Sequence, residues 1–186
     1  LSNNKPRVRE FIFDWLACKA QNPAQKFGGG RIFVIKAVAQ GCGKSTFVHF
    51  LIATFGRDNV VFLPNLKALT ADFSWHMHSK IFVFIDDIDA STNTQTGNLK
   101  ARITAPTWFY QEKNKTRVEM RCCEEYITTS NCKKPLYQGS EDRRQAYLVV
   151  NDKYASKKGK HTKEFFNALY AEFQDHDVMA AWFRFF

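Results

Sequence analysis

The chain has 186 residues, enough for one hydrophobic core and too few for a second large domain. At 45% hydrophobic and 24% charged residues it reads as a soluble globular domain, with neither a signal peptide nor an apolar run near the roughly 18 residues of a membrane span. The formal charge of +9 is uneven: residues 100–161 hold 14 basic and 7 acidic residues against 13 and 11 elsewhere, a concentrated field that favours a polyanion, nucleic acid first; a solvated basic face that keeps the chain soluble is the alternative that charge alone does not exclude.

Residues 6–20 place Val8, Phe11, Ile12, Trp15 and Leu16 at helical spacing behind Pro6, and QNPAQKFGGG then breaks the helix. RIFVIKAV (31–38) reads as a buried strand, and QGCGKST opens a helix through Phe47, Phe50, Leu51 and Phe55 that Gly56 ends. A second strand is expected at 59–63, a helical stretch at 64–79, and a central parallel strand at IFVFI (81–85). Residues 97–106 read as helix, and 108–121 as two short strands around the polar tip Glu112-Lys113-Asn114-Lys115. Further strands are expected at 124–131 and 145–150, and helices at 162–174 and 177–185. Alternating strands and helices predict an α/β fold with a parallel sheet flanked by helices. Residues 1–29 are an N-terminal helix and Gly-rich linker, 30–150 the core, and 151–186 a helical segment of the same domain. The start at Leu1 and the end in AAWFRFF suggest one domain of a longer protein.

Cys18, Cys42, Cys122, Cys123 and Cys132 form no CxxC pair and no zinc spacing with histidine, so a reducing intracellular compartment is expected and His76 and His78 read as structural polar residues.

Chemistry concentrates first in Gln40-Gly41-Cys42-Gly43-Lys44-Ser45-Thr46, between an apolar strand and an amphipathic helix. Triphosphate oxygens need several donors at short range; glycines let backbone N–H groups form an anion nest, and the helix N-terminus adds positive potential. Lys44 is expected to reach the β- and γ-phosphates of ATP and Ser45 to hold Mg²⁺. Val38 stands where the phosphate-loop pattern wants Gly, which implies a differently shaped loop entry. The alternative is a chance GKST at a helix start. Second, the strand ending Ile85-Asp86-Asp87 sets a carboxylate expected to lie beside the first strand's loop, Asp86 holding magnesium and Asp87 orienting and deprotonating the attacking water. Third, the strand ending Thr128-Thr129-Ser130-Asn131 puts an amide where it can touch both the γ-phosphate and that water. Fourth, Arg143 or Arg144 can neutralise transition-state charge; a surface ion pair with Glu141 and Asp142 competes with that role.

In order and spacing these segments, from about residue 30 to 150, resemble the superfamily 3 helicases, the AAA+ motors of DNA viruses, their satellites and some phages. The likeness is greatest to the helicase half of viral primase-helicases. The resemblance implies a P-loop ATPase fold of AAA+ type with a basic β-hairpin insertion. In it Lys44 and Ser45 belong to the loop, Asp86 and Asp87 are the metal and base acids, Asn131 is the sensor, and Arg143 or Arg144 acts in trans. The family's DNA-gripping hairpin corresponds to residues 105–121, with Lys113, Lys115 and Arg117 on single-stranded DNA and Trp108, Phe109 and Tyr110 expected in the core. A homo-hexamer, and no membrane partner, are also implied. Two rivals remain: a P-loop kinase or other phosphotransferase, which DNA would not stimulate, and a non-catalytic nucleic-acid scaffold, which would bind ATP without turnover.

Overall fold

The computed structural model describes residues 5–37, 39–69, 71–86, 88, 93–132, 135–136, 143–155 and 160–186. Helix α1 (Pro6–Gln21) begins on Pro6, whose fixed φ suits a first turn, and buries Ile12, Trp15, Leu16 and Lys19, a stripe at helical spacing. Strand β1 (Ile32–Lys36) follows, then α2 (Thr46–Phe55), β2 (Val60–Leu63), the one-turn α3 (Leu66–Leu69), β3 (Phe82–Ile85) and α4 (Asn93–Thr104). Next come β4 (Thr107–Tyr110), β5 (Val118–Arg121), β6 (Glu125–Ser130), β7 (Gln145–Val149), α5 (Lys160–Gln174) and α6 (His176–Phe185).

Five strands form one sheet in the order β2-β3-β6-β1-β7, every pair parallel. Helices cover both faces, because successive side chains of a strand alternate. From β1, Phe33 and Ile35 pack with Trp15 of α1, Leu51 of α2 and the terminal Phe186, whereas Ile32 and Val34 pack with Leu99 and Ile103 of α4 and with Tyr110. Trp15 stacks on Phe33 at 4.0 Å between centroids, which fixes α1 against the central strand.

Two expectations change. The helix expected over 64–79 is the short α3 and a 3₁₀ turn at Trp75–Met77, since Leu69 and Met77 are buried on the α4 face without a continuous stripe between them. Phe109 is 56% exposed rather than in the core. β4 and β5 form a separate two-stranded antiparallel ribbon with one covered face, so Trp108 and Tyr110 turn inward and Phe109 outward.

The N-terminal linker is tied to the sheet by two lysines. Lys19 Nζ donates to the carbonyls of Pro23, Gln25 and Cys123 at 2.7–2.9 Å and lies 4.0 Å from Glu125 Oε1. Lys26 Nζ caps the end of α4 through the carbonyls of Ile103 (2.8 Å) and Ala105 (2.9 Å), where a cation meets the negative end of the helix dipole. Glu125 accepts from Phe27 N at 2.6 Å. Burial pushes its carboxyl up to about 7, against the opposing pull of that N–H and of Lys19 and Lys26. A carboxyl raised in the folded state contributes stability that is complete below its unfolded value near 4.5 and is lost as pH climbs through about 7. Denaturant midpoints measured at about pH 5 and about pH 7.5 are therefore expected to fall more for the wild type than for Glu125→Gln; parallel midpoints would refute this linkage.

Candidate nucleotide site at the sheet edge

Parallel strands deliver their following loops to one edge, and those after β1, β3 and β6 meet there. Beyond the strands the ladder runs on: Ala37 N donates to Ser130 O (3.2 Å), Asp86 N to Leu63 O (3.2 Å) and Ile88 N to Thr129 O (3.0 Å). The three loop starts are thus fixed by backbone bonds.

Residues Ala39 to Ser45 make a tight turn into α2. Gly41 and Gly43 have φ of +66° and +88°, a conformation that side chains resist, and Cys42 is buried with its Sγ donating to Ala39 O at 3.2 Å. Ser45 precedes α2 without a side-chain cap, so its hydroxyl leaves the first-turn N–H groups uncovered. Lys44 Nζ donates to Asn131 Oδ1 at 2.5 Å, joining the glycine loop to the end of β6. Asp86 is exposed, and its Oδ1 accepts from Thr129 Oγ1 at 2.9 Å. Lys44, Asp86 and Asn131, separated by up to 87 positions, are thereby linked through one strand end.

Strand β6 is buried along its whole length although it reads EYITTS. The hydroxyls at its carboxyl end find partners: Thr128 Oγ1 donates to Ile85 O at 2.7 Å, and Ser130 Oγ accepts from Cys132 N at 3.1 Å. Thr129 is the residue that sequence reasoning overlooked, and its signal was there: a hydroxyl run in a strand otherwise suited to the core.

Asp87 and Val38 lie outside the described residues. Arg143 and Arg144 lie at the other edge of the sheet: Arg144 O accepts from Ile32 N at 2.9 Å, at the amino end of β1. The register Ile32↔Gln145 to Lys36↔Val149 puts about 13 Å of strand between that end and the glycine loop. The hairpin also enters β6 at its amino end. At its tip Lys113 is exposed, Lys115 pairs with Glu112 at 2.6 Å, and Arg117 binds Asp72 at 3.2 Å and Gln111 at 2.8 Å. These pairs are solvent-exposed and weak, so the cations remain available to a stronger anion.

Beside the loop a mostly apolar cleft of about 610 Å³ opens between α1, α2, α5 and α6, with Cys42, Gly43 and Thr46 on one wall and Val150, Tyr154 and Phe166 on another. Among the described residues no helix is long and apolar enough to cross a membrane.

The family model that matches, for residues 36–144 and so for more than half of the chain, is DUF5906, a family of unknown function. The chain belongs to the DUF5906 family. The segment that carries the DUF5906 match runs from the last residue of β1 through the glycine loop, Asp86, the hairpin and Asn131 to Arg144. Solved structures similar to this DUF5906 member include the apo structure of the NrS-1 C-terminal region (residues 305–718), with TM-score 0.78 and 20% identity over 96% of this chain and 42% of that one. The A form apo structure of the same region gives 0.78 and 20% over 98% and 42%. A further A form structure of residues 305–718 gives 0.73 and 19% over 97% and 42%. The DUF5906 chain thus spans about 42% of the length of the solved chains it matches, and the likeness is one of fold. No curated protein matches it.

Proposed function

We propose that the chain is the ATPase motor domain of a replicative DNA helicase of superfamily 3 type, of viral or mobile-element origin, which translocates on single-stranded DNA within a hexameric ring. The observation that carries this reading is the 2.5 Å contact of Lys44 with Asn131, with Asp86 held by Thr129 on the same strand. Three motif-bearing loops that a triphosphatase needs at one point do converge. The fold likeness to the NrS-1 C-terminal region and the span of the family match support the same architecture.

In this reading the backbone N–H groups of the Gln40–Thr46 loop and the start of α2 bind the phosphates, Lys44 lies on the β- and γ-phosphates, and the cleft takes the base. The hydroxyl of Ser45 and the carboxylate of Asp86 are hard oxygen donors at the surface, a set that suits Mg²⁺. When bound, the ion would neutralise charge on the phosphates. Asn131 orients the attacking water, and Asp87 accepts its proton. Arg143 and Arg144, at the far edge of their own sheet, would serve the site of a neighbouring subunit. The exposed Lys113, Lys115 and Arg117 track the DNA backbone, and the exposed ring of Phe109 offers a face for a base.

The test is steady-state ATP hydrolysis with and without a single-stranded oligonucleotide, over a range of protein concentrations. Turnover is expected to rise with DNA and to fall on the order of 100-fold or more in Lys44→Ala. DNA-independent transfer to a small acceptor would replace this reading with a kinase, and ATP binding without turnover at any concentration would replace it with a scaffold.

A further inference from the structure

Helix α5, the penultimate helix, meets the glycine loop and α2 along one stripe. Phe166, Tyr170 and Phe173 lie four and three residues apart, on one face of α5. They meet Gly43, Thr46 and Phe50, which lie three and four apart on the other partner. The Phe166 ring is so close that a Cβ built on Gly43 would stand 2.7 Å from its Cε1. Tyr170 Oη and Thr46 Oγ1 are 3.1 Å apart, and Phe173 packs on Phe50 at 5.9 Å between centroids. The Tyr170 ring meets His49 (5.5 Å) and Phe173 (5.7 Å) edge-on.

Two of these three contacts bracket Lys44 and Ser45. Gly43 and Gly41 sit at positive φ, a conformation the surrounding contacts must hold. Thr46 is the first residue of α2, and its backbone and hydroxyl stand where the loop becomes helix. A group that fixes Thr46 therefore fixes the direction of the loop's N–H donors.

We propose that Tyr170 is a positioning residue for the anion-binding loop, acting through the Thr46 hydroxyl, with Phe166 closing the loop at Gly43. Helix α5 is thus part of the site rather than a cover on the sheet. The proposal rests on the nucleotide-site reading given above, and its readouts separate the two.

The experiment compares wild type, Tyr170→Phe, Thr46→Val and the double variant by binding of a fluorescent ATP analogue, by denaturant midpoint, and by amide hydrogen exchange of residues 41–46 without nucleotide. Tyr170→Phe keeps the ring and removes only the hydroxyl. It is expected to weaken analogue binding about threefold to tenfold, the worth of one hydrogen bond, to speed exchange at the loop amides, and to leave the midpoint nearly unchanged. In the Thr46→Val background the same change is expected to add nothing. Unchanged loop exchange in Tyr170→Phe would overturn the proposal whether or not the analogue binds, and so would an equal loss of affinity in both backgrounds. Failure of the wild type to bind the analogue at all would instead count against the nucleotide-site reading.

Discussion

Replacing Arg102 by alanine is expected to cost the fold about 3–5 kcal/mol, the usual penalty for leaving one member of a buried ion pair without its partner. Arg102 and Glu124 are both 0% exposed, with Nη2 2.7 Å from Glu124 Oε1. The guanidinium also donates to Tyr110 Oη (3.0 Å) and Cys122 Sγ (2.9 Å), and it lies over the rings of Trp108 (4.8 Å) and Tyr110 (5.0 Å). Tyr110 Oη donates to the same carboxylate oxygen, and burial together with that carboxylate drives the phenol well above its usual pKa. Truncation at Arg102 strands Glu124 in an apolar layer and frees the base of the hairpin. The pair is imperfect: Arg102 Nε and Glu124 Oε2 have no hydrogen-bond partner. The double variant Arg102→Met, Glu124→Leu is therefore expected to recover most of the loss. Urea midpoints for the two single variants and the double give the coupling directly, and additive losses would show that the two residues do not act as a pair.

Gly30→Ala is expected to cost about 2–4 kcal/mol, about twice the effect of the same change one residue earlier. Gly29 and Gly30 have φ of +77° and +95°, so alanine is strained at both. At Gly29 nothing lies within 4 Å of the added Cβ, and the expected loss is the backbone strain alone, about 1–2 kcal/mol. At Gly30 the Cβ would stand 2.2 Å from the carbonyl oxygen of Ile103, the atom that also accepts from Lys26 Nζ at 2.8 Å. Making room there means moving the end of α4 or breaking its cap. Thermal or denaturant unfolding of the two variants side by side tests the contrast, and equal losses would remove close approach as the reason for Gly30.

The order of strands and helices was legible in the sequence because each element signals itself locally. The run 81–85 is continuously apolar because its strand is buried on both faces, and Gly56 ends a helix with φ +91°. The tight turn into α2 was legible because Gly41 and Gly43 take a positive φ that glycine adopts without strain. Phe109 was misread because periodicity reveals which residues alternate but not whether a second face is covered.

The tertiary structure alone decided what depends on contacts between distant positions. The insertion of β6 between β1 and β3 is a matter of which edges pair, and no local pattern encodes it. The same insertion brings Asn131 to Lys44 and Thr129 to Asp86. Tyr170 reaches Thr46 across 124 positions from a helix whose spacing says only that one face is apolar. Arg102 and Glu124 lie 22 positions apart in the basic segment, and only the folding of the hairpin over α4 buries them as a pair. Local sequence carries conformational preference and residue chemistry; the partner of a buried charge or of a hydroxyl is set by packing, which is a property of the whole chain.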